Sequence, residues 1–263
     1  MSKIVRRKPT SPGMRHRIDI YSDHLFRGKP RKSLVTGVVS VSGRDRWGRI
    51  TTRHRGGGNK RRVRVVTHPS SFRQRGLVLS IEQNPSSNAH LALVKWVSVG
   101  QNLGPRYSYI KPEDGLRAGD NIFHNEAFLV KGSAYMLGSV PEGEKVYGLE
   151  RVPGKGAQIA TSAGSFCRIL KHDQGKKTTL LELPSKERRE FNSSCMAKLG
   201  SCSNPGFFHV QLGKAGRARW RGFRPTVRGE AMNAVDHPHG GNSAGGGQPR
   251  TPWGKLAKWI PKP

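Results

Sequence analysis

The chain has 263 residues, with 47 Lys and Arg against 17 Asp and Glu, so its formal net charge is +30 and its isoelectric point is near 11.2. This excess predicts a polyanionic partner, because the charges repel one another in a compact domain until phosphates neutralise them. The sequence has no run of about 18 apolar residues and no signal-peptide pattern, so we expect neither a membrane span nor secretion.

The composition limits the fold as well. Hydrophobic residues make up only 34% of the chain, which also contains 33 Gly and 17 Pro. This balance favours short strands, tight turns and extended arms over long helices. The length predicts about two small domains, at roughly 100 to 200 residues per domain.

The three cysteines, Cys167, Cys195 and Cys202, are odd in number and include no close pair. They therefore indicate neither a disulfide framework nor a zinc ribbon, and we expect buried thiols in a reducing compartment. An alternative recruits Cys195 and Cys202 with His209 as metal ligands. That spacing fits no common finger, so we expect no metal site.

Residues 1–60 are predicted to form a basic N-terminal extension, because they lack periodic apolar positions apart from the short run 34–41. Within it, three consecutive glycines at 56–58 allow backbone N–H groups to approach a phosphate closely. Flanking arginines add bidentate phosphate contacts. The alternative is a flexible solvated linker. We predict RNA contact through Arg49, Arg53, His54, Arg55, Gly56, Gly57, Gly58, Lys60, Arg61 and Arg62.

Two groups of short strands follow, separated by turn residues. The alternating runs 62–66, 76–81, 90–96 and 107–110 predict an OB-like barrel of five short strands over residues 61–124, a fold that commonly binds nucleic acid. A second small barrel or sandwich is predicted over residues 125–200. Its strands are expected at 127–130, 145–150, 166–170, 178–183 and 188–191.

Residues 153–164 superficially resemble a phosphate-binding loop. The segment lacks the Gly-Lys-Ser/Thr ending of the nucleotide-binding motif, so no ATP site is predicted. We expect instead that Lys155 faces RNA.

The C-terminal extension, residues 201–263, is again basic and loses regular alternation. Residues 212–229 hold six Lys and Arg and no acid, interleaved with Trp220 and Phe223. Cations contact phosphates while planar groups stack on exposed bases, although Trp220 as a core anchor under the second barrel is an equal alternative. The predicted contacts are Lys214, Arg217, Arg219, Trp220, Arg221, Arg224 and Arg228.

The segment Asp236, His237, Pro238, His239 and Gly240 contains side chains that acid–base catalysis and metal binding both use. Adjacent residues generally point in different directions, however, and no activated nucleophile is indicated. We favour a structural role, in which imidazoles contact phosphates or riboses and the Asp orients one of them. No catalytic residue is predicted.

Over nearly its whole length the chain resembles large-subunit ribosomal protein two, the universal family that binds the large ribosomal RNA. The similar segments are residues 8–13, 48–60, 115–120, 153–164 and, above all, 213–241. The resemblance implies a mainly β fold, with an OB-fold barrel followed by an SH3-like barrel and flanked by two extensions that penetrate rRNA.

The resemblance further implies that residues 236–240 lie near the peptidyl-transferase centre, where RNA is the catalyst and the protein is not an enzyme. Implied partners are large-subunit rRNA, other ribosomal proteins and, through intersubunit contacts, the small subunit. A role in subunit joining and tRNA placement is implied as well. No small-molecule substrate and no cofactor is expected beyond Mg²⁺ associated with rRNA.

The chain departs from the family in three places. Residues 242–250 replace an acidic, Arg-containing loop, Thr161 stands where the family often has Arg, and the long basic tail is absent. Such shortening and divergence are typical of a mitochondrial member, so we expect a mitochondrial ribosome in the matrix, with the bacterial cytoplasm or a plastid as alternatives.

Two other functions stay open from the residues alone. One is an RNA-processing enzyme that uses Asp236, His237 and His239. The other is a DNA-compacting protein, which charge by itself allows.

Overall fold

The structure, a computed structural model, describes residues 2–67, 74–98, 107–125, 128–242 and 248–257. The chain divides into two compact units. Residues 1–39 and 60–215 form the first, here called the double-barrel unit; residues 40–59 and 216–263 form the second, called the basic unit. All strands of the described residues belong to the double-barrel unit.

The N-terminal extension begins with a β-hairpin. Strands β1 (Ser2–Arg6) and β2 (Ile18–Ser22) pair antiparallel, which the low apolar content of this region did not predict. Asp19 stabilises the hairpin, because its carboxylate lies 2.9 Å from Nε of both Arg7 and Arg17.

A short two-stranded ladder lies at the end of the extension. Strand β3 (Val35–Gly37) pairs antiparallel with β4 (Arg62–Arg64). The long connection between them contains the triple glycine. A buried polar group holds β4 in place, since Glu82 accepts from Arg64 at 3.4 Å and from the Tyr109 hydroxyl at 2.9 Å.

The first barrel contains four antiparallel-paired strands in the part of the chain that the structure describes. These are β5 (Gln74–Glu82), β6 (Leu91–Ser98), β7 (Tyr107–Ile110) and β8 (Asn121–His124). Its core contains Val78, Val94, Trp96 and Ile122. Gly76 is required for this packing, because a Cβ there would lie 2.5 Å from Val94 and 2.8 Å from the Trp96 ring.

The second barrel contains eight short strands among the residues described. They are β9 (Ala134–Met136), β10 (Lys145–Tyr147), β11 (Leu149–Glu150), β12 (Ala157–Ile159), β13 (Cys167–Asp173), β14 (Thr178–Glu182), β15 (Arg188–Asn192) and β16 (Met196–Leu199). Leu149, Ile169 and Leu181 are fully buried in its core. The three cysteines are buried and free, as predicted.

One hydrogen-bonded sheet runs through both barrels, in the order β15-β14-β13-β10-β16-β9-β8-β5-β6-β7. The barrels join where His124 of β8 pairs in parallel with Ala134 of β9. The mainly β fold, with an OB barrel before an SH3-like barrel, is confirmed.

One predicted strand is wrong. Residues 128–130 form no strand, because the Tyr135 hydroxyl occupies their backbone groups: it accepts from Val130 N–H at 2.8 Å and donates to Phe128 O at 2.7 Å. Position 127 of that prediction lies outside the described residues. The predicted strand at 145–150 is broken at Gly148, whose φ of 59° ends β10 before β11 begins.

Candidate nucleic-acid interface

The basic unit joins two segments that are far apart in the sequence. The amide N–H of Gly56 donates to Gly222 O, that of Asn59 to Trp220 O and that of Arg224 to His54 O, all at 3.0 Å. The triple-glycine loop and the basic C-terminal segment, each predicted separately to contact RNA, therefore form one surface.

The glycines serve this pairing of backbones. A Cβ on Gly58 would lie 2.8 Å from Gly222 N and 3.0 Å from Trp220 O, which leaves no room for a side chain. The φ angles of 137°, 65° and 90° at Gly56, Gly57 and Gly58 also lie in the region that favours glycine. Close approach of a phosphate to the backbone stays a prediction for Gly57. Gly56 and Gly58 contact the protein's own chain.

Contacts with a ring and with backbone carbonyls hold Arg55, Arg219 and His54 on this surface. Arg55 lies over the Phe223 ring at 4.3 Å, and Arg219 donates to Phe223 O at 3.3 Å. His54 Nδ1 lies 3.0 Å from Pro225 O; since a carbonyl only accepts, Nδ1 carries the proton. The guanidinium groups of Arg55 and Arg219 are thus held by stacking and by a backbone contact, respectively.

Most of the predicted cations in this unit face solvent. Arg49, Arg55, Arg219, Arg221, Arg224 and Arg228 are exposed, while Arg53, His54 and Arg217 are partly buried. Arg228 lies 3.8 Å from Glu230, an exposed pair that contributes little. Trp220 is 52% exposed, which contradicts the core-anchor alternative.

The charge of the unit is strongly positive. Residues 40–59 hold five Lys and Arg and residues 216–263 hold nine, against three acidic residues in both segments together. Only Gly56 and His237 are buried among the residues described in this unit, so it has no apolar core there.

The Asp236–Gly240 segment is a compact turn built around His237. The His237 ring packs against Gly229, where a Cβ would lie 2.5 Å from it, and its Nδ1 accepts the His239 N–H at 3.0 Å. His239 Nε2 in turn accepts the Arg250 N–H at 2.8 Å. Each imidazole thus uses one nitrogen as an acceptor, so a neutral His237 carries its proton on Nε2.

Asp236 does not take part in this arrangement. Its side chain is exposed, and the described part of the chain offers no hydrogen bond between its carboxylate and either imidazole. The predicted orienting role of Asp236 is therefore not seen, and the backbone N–H of His239 orients His237 instead. Pro238 is exposed at the turn, and Gly240 leaves no room for a Cβ because Asn233 O would lie 2.2 Å from it.

The remaining predicted contacts belong to the double-barrel unit. Lys60, Arg62, Lys155 and Lys214 are exposed, and Arg61 is partly buried. Lys155 lies in a turn that Glu150 organises.

Glu150 was missed in the sequence, because a single acid in an apolar run carries no clear signal. Its buried carboxylate accepts N–H groups of Gly154 at 3.1 Å, Gly156 at 3.0 Å and Met196 at 3.0 Å. These three bonds fix the turn that presents Lys155.

No group of His, Cys, Asp and Glu in the described ranges could hold a metal ion. Nor is any helix there long and apolar enough to cross a membrane. The double β-barrel fold and the arginine-rich surface together define a basic RNA-binding protein.

The comparison with known families identifies that class further. Residues 31–124 match the family model "Ribosomal Proteins L2, RNA binding N-terminal domain", and residues 130–254 match "Ribosomal Proteins L2, C-terminal domain". The chain belongs to this family of ribosomal proteins. Members of this family are structural components of ribosomes and are not classified as enzymes.

Individual relatives agree over nearly the whole chain. It is 44% identical to "Large ribosomal subunit protein uL2" of Alcanivorax borkumensis over 264 residues, which cover 97% of this chain and 92% of the relative. Proteins of the same description from Rhizobium rhizogenes and Methylobacterium are 42% and 41% identical, each over 95% of this chain and 89% and 90% of their own length.

Proposed function

We propose that this protein is a structural constituent of the large ribosomal subunit that binds and stabilises large-subunit rRNA. The observation that carries the proposal is the basic unit, in which two remote cationic segments share one surface and the described residues form no apolar core. Phosphates of rRNA supply the stabilisation that a core would otherwise provide, by pairing with arginines and releasing counterions.

The proposed rRNA contacts comprise residues from both units. They are Arg49, Arg53, His54, Arg55, Gly56, Gly57, Gly58, Lys60, Arg61, Arg62, Lys155, Lys214, Arg217, Arg219, Trp220, Arg221, Arg224 and Arg228. The proposed functional division is an N-terminal extension (1–60), an OB-fold domain (61–124), an SH3-like barrel (125–200) and a C-terminal extension (201–263).

Substitution of two exposed arginines tests the phosphate contacts. We expect the double variant Arg219→Ala/Arg221→Ala to bind rRNA more weakly, with the slope of log K against log salt reduced by about two, or about one per phosphate contact. Arg188→Ala/Arg189→Ala on exposed β15 is the matched control, since it removes the same charge from another surface. An equal slope in both variants would contradict the assignment.

A general DNA-compacting function makes a different prediction. A purely counterion-driven protein binds rRNA and duplex DNA with little preference at about 150 mM salt. Preference for rRNA in a direct competition under these conditions supports the ribosomal function, and equal affinity argues for the DNA alternative.

We place Asp236, His237, Pro238, His239 and Gly240 near the peptidyl-transferase centre. We also propose that the protein supports subunit association and tRNA placement through contacts with the small subunit. The turn holds both imidazoles in fixed tautomers, with His237 buried and His239 half-buried, so that it can form a defined surface toward RNA. His237→Ala is expected to enter the large subunit yet to lower peptide-transfer activity. Failure to enter the subunit would instead make the turn an assembly element.

The RNA-processing alternative requires Asp236, His237 and His239 to work together, whereas no hydrogen bond among the described residues joins the Asp236 carboxylate to either imidazole. It predicts that the purified protein cleaves or modifies rRNA fragments. Tight binding without turnover removes this alternative.

For the location we propose a ribosome of the bacterial type. The relatives given above are bacterial, which favours the bacterial cytoplasm, while the departures from the family pattern described in the sequence are the basis for the mitochondrial prediction. Sedimentation decides between them: the chain should co-migrate with the large subunit of one compartment, and the compartment identifies the ribosome.

A further inference from the structure

The outer surface of the first barrel carries apolar side chains that the described chain leaves exposed. Along β5, buried and exposed residues alternate, so the side chains of Arg75, Leu77 and Leu79 point away from the barrel core. Val97 of β6 is paired with Arg75 in the strand register and is 60% exposed. Exposed aliphatic side chains therefore lie side by side on two neighbouring strands.

Two cations lie among these apolar side chains. The register pairs Lys95 of β6 with Leu77, and it pairs Phe123 of β8 with Arg75. Opposed residues of antiparallel strands point to the same side of the sheet, so apolar and cationic side chains alternate on one surface. Lys95 forms no salt bridge within the described residues. This surface, here called the outer face, consists of Arg75, Leu77, Leu79, Lys95, Val97 and Phe123.

The aromatic rings of this region already have partners. Arg75 lies over the Phe123 ring at 5.9 Å, and the Phe128 ring meets that ring edge-on, with the two centroids 5.0 Å apart. The ring of Tyr107 on β7 is covered by the Arg31 guanidinium at 3.5 Å. Single-stranded RNA binds where bases stack on open rings. The outer face is therefore less suited to RNA than the basic unit is.

The composition of the outer face favours a protein partner. Exposed apolar patches mark protein interaction sites, whereas surfaces that bind nucleic acid are more polar and more positively charged. Leu77, Leu79 and Val97 offer no hydrogen-bond donor to a phosphate from their side chains. They gain free energy when another apolar group covers them, at about 25 cal/mol per Å². A second copy of this chain is a poor partner, because two such faces carry cations and neither carries an acid.

We propose that the outer face docks another protein, through a segment whose apolar side chains cover Leu77, Leu79 and Val97. Carboxylates of the same segment face the cations Lys95 and Arg75, since opposite charges across an interface fix the register and select the partner. The proposal does not depend on rRNA binding, because the outer face shares no residue with the proposed rRNA contacts.

Photo-crosslinking identifies the occupant of the outer face. Val97→p-benzoylphenylalanine places a photoreactive ring there, and Phe208→p-benzoylphenylalanine is the control at an exposed position elsewhere in the same unit. Assemblies that contain the full-length chain are purified from cells and illuminated, and the products are mapped by mass spectrometry. If the Val97 variant does not fold, Leu79→p-benzoylphenylalanine carries the test.

We expect the variant on the outer face to link to a protein segment that contains both apolar and acidic residues, and the Phe208 variant not to give this product. A link to RNA, a link to a second copy of the chain, or the lack of any product from the outer face overturns the proposal.

Charge reversal tests the complementarity of the contact. Lys95→Glu in the photoreactive chain should lower the yield of the link about tenfold, whereas Lys176→Glu, in an exposed turn, should leave the yield unchanged. Replacement of the mapped acidic residue of the partner by Lys should restore the yield. Equal yields from the two variants overturn the proposal, because the link would then not depend on the cation.

Affinity for rRNA separates this proposal from the proposed function. Lys95→Glu and Lys176→Glu change the net charge equally, so they should bind rRNA equally. A larger loss for Lys95→Glu assigns the outer face to RNA and overturns the proposal. The proposed function fails instead if Arg219→Ala/Arg221→Ala keeps full affinity for rRNA, a result that does not affect the link from the outer face.

Discussion

In the double-barrel unit many large apolar side chains form buried cores: Tyr135, Leu149 and Ile169 are at most 1% exposed. In the basic unit the corresponding side chains are outside, with Trp47 78% and Val235 91% exposed. One unit is stabilised by burial of apolar surface, which drives folding in water. The described residues of the other have cations and exposed rings instead of buried apolar side chains, so we expect its stability to depend on the polyanion that we propose it binds.

The largest effect is expected where burial is complete. Leu149→Ala should lower the free energy of unfolding by about 3 kcal/mol, because it removes apolar contacts and leaves a cavity in the second barrel. Val235→Ala, at a 91% exposed position of the basic unit, should change it by less than about 0.5 kcal/mol. Denaturant unfolding followed by circular dichroism measures both, and equal losses would remove the contrast between the units.

Glu150 tests whether buried polar groups also stabilise the double-barrel unit. Glu150→Gln should cost about 2 kcal/mol, since an amide replaces a carboxylate that accepts three backbone N–H groups. Glu190→Gln on exposed β15 is the control and should be nearly neutral. A neutral Glu150→Gln in the same unfolding assay would show that the turn at Lys155 is held by other contacts.

Acid should weaken the double-barrel unit through His124. Burial lowers the pKa of His124 to about 3, so between its ordinary pKa of 6.5 and pH 3 only the unfolded chain takes up the proton. Above pH 6.5 His124 is neutral in both the folded and the unfolded chain, so it does not lower stability. Below that pH the free energy of unfolding should decrease by about 1.4 kcal/mol per pH unit.

His124→Leu should remove this part of the pH dependence, while His16→Leu, at an exposed position, should keep it. Denaturant unfolding at several pH values between 6.5 and 4 compares the slopes. Parallel curves for the wild type and His124→Leu would refute the assignment.

The smallest effect on stability, and a clear one on binding, is expected for Trp220. Trp220→Ala should weaken rRNA binding by about 1 kcal/mol through the loss of a stacking ring, with the free energy of unfolding nearly unchanged. Phe208→Ala removes a 91% exposed ring from the double-barrel unit and is the control. A stability loss without a binding loss would make Trp220 a packing residue after all.

The sequence predicted the regular parts of the double-barrel unit because side-chain alternation is a local signal. The runs at 90–96 and 178–183 correspond to β6 and β14. It missed β16, where all four residues are buried and Lys198 breaks the apolar pattern. It also predicted a strand at 128–130 from a run of apolar residues. That prediction was wrong because the Tyr135 hydroxyl bonds the backbone there, a contact that the residue pattern does not indicate.

In the basic unit the sequence indicated which residues are cationic but not how they meet. The pairing of residues 54–59 with 220–224 is a long-range contact with no local signal. The adjacency of Asp236 to His237 in the sequence suggested an interaction that the turn does not make. The partner of the His237 ring, Gly229, has no side chain from which a contact could be foreseen.

Hydrogen–deuterium exchange on the full-length protein, with and without its rRNA, tests the central claim most directly. Without rRNA, amides of β5, β6 and β13 should exchange slowly, while those of residues 54–59 and 216–242 should exchange fast, because Gly56 and His237 are the only buried residues in these two described ranges. With rRNA, the second group should gain protection and the first should change little. Equal protection of both units in the absence of rRNA would contradict the account.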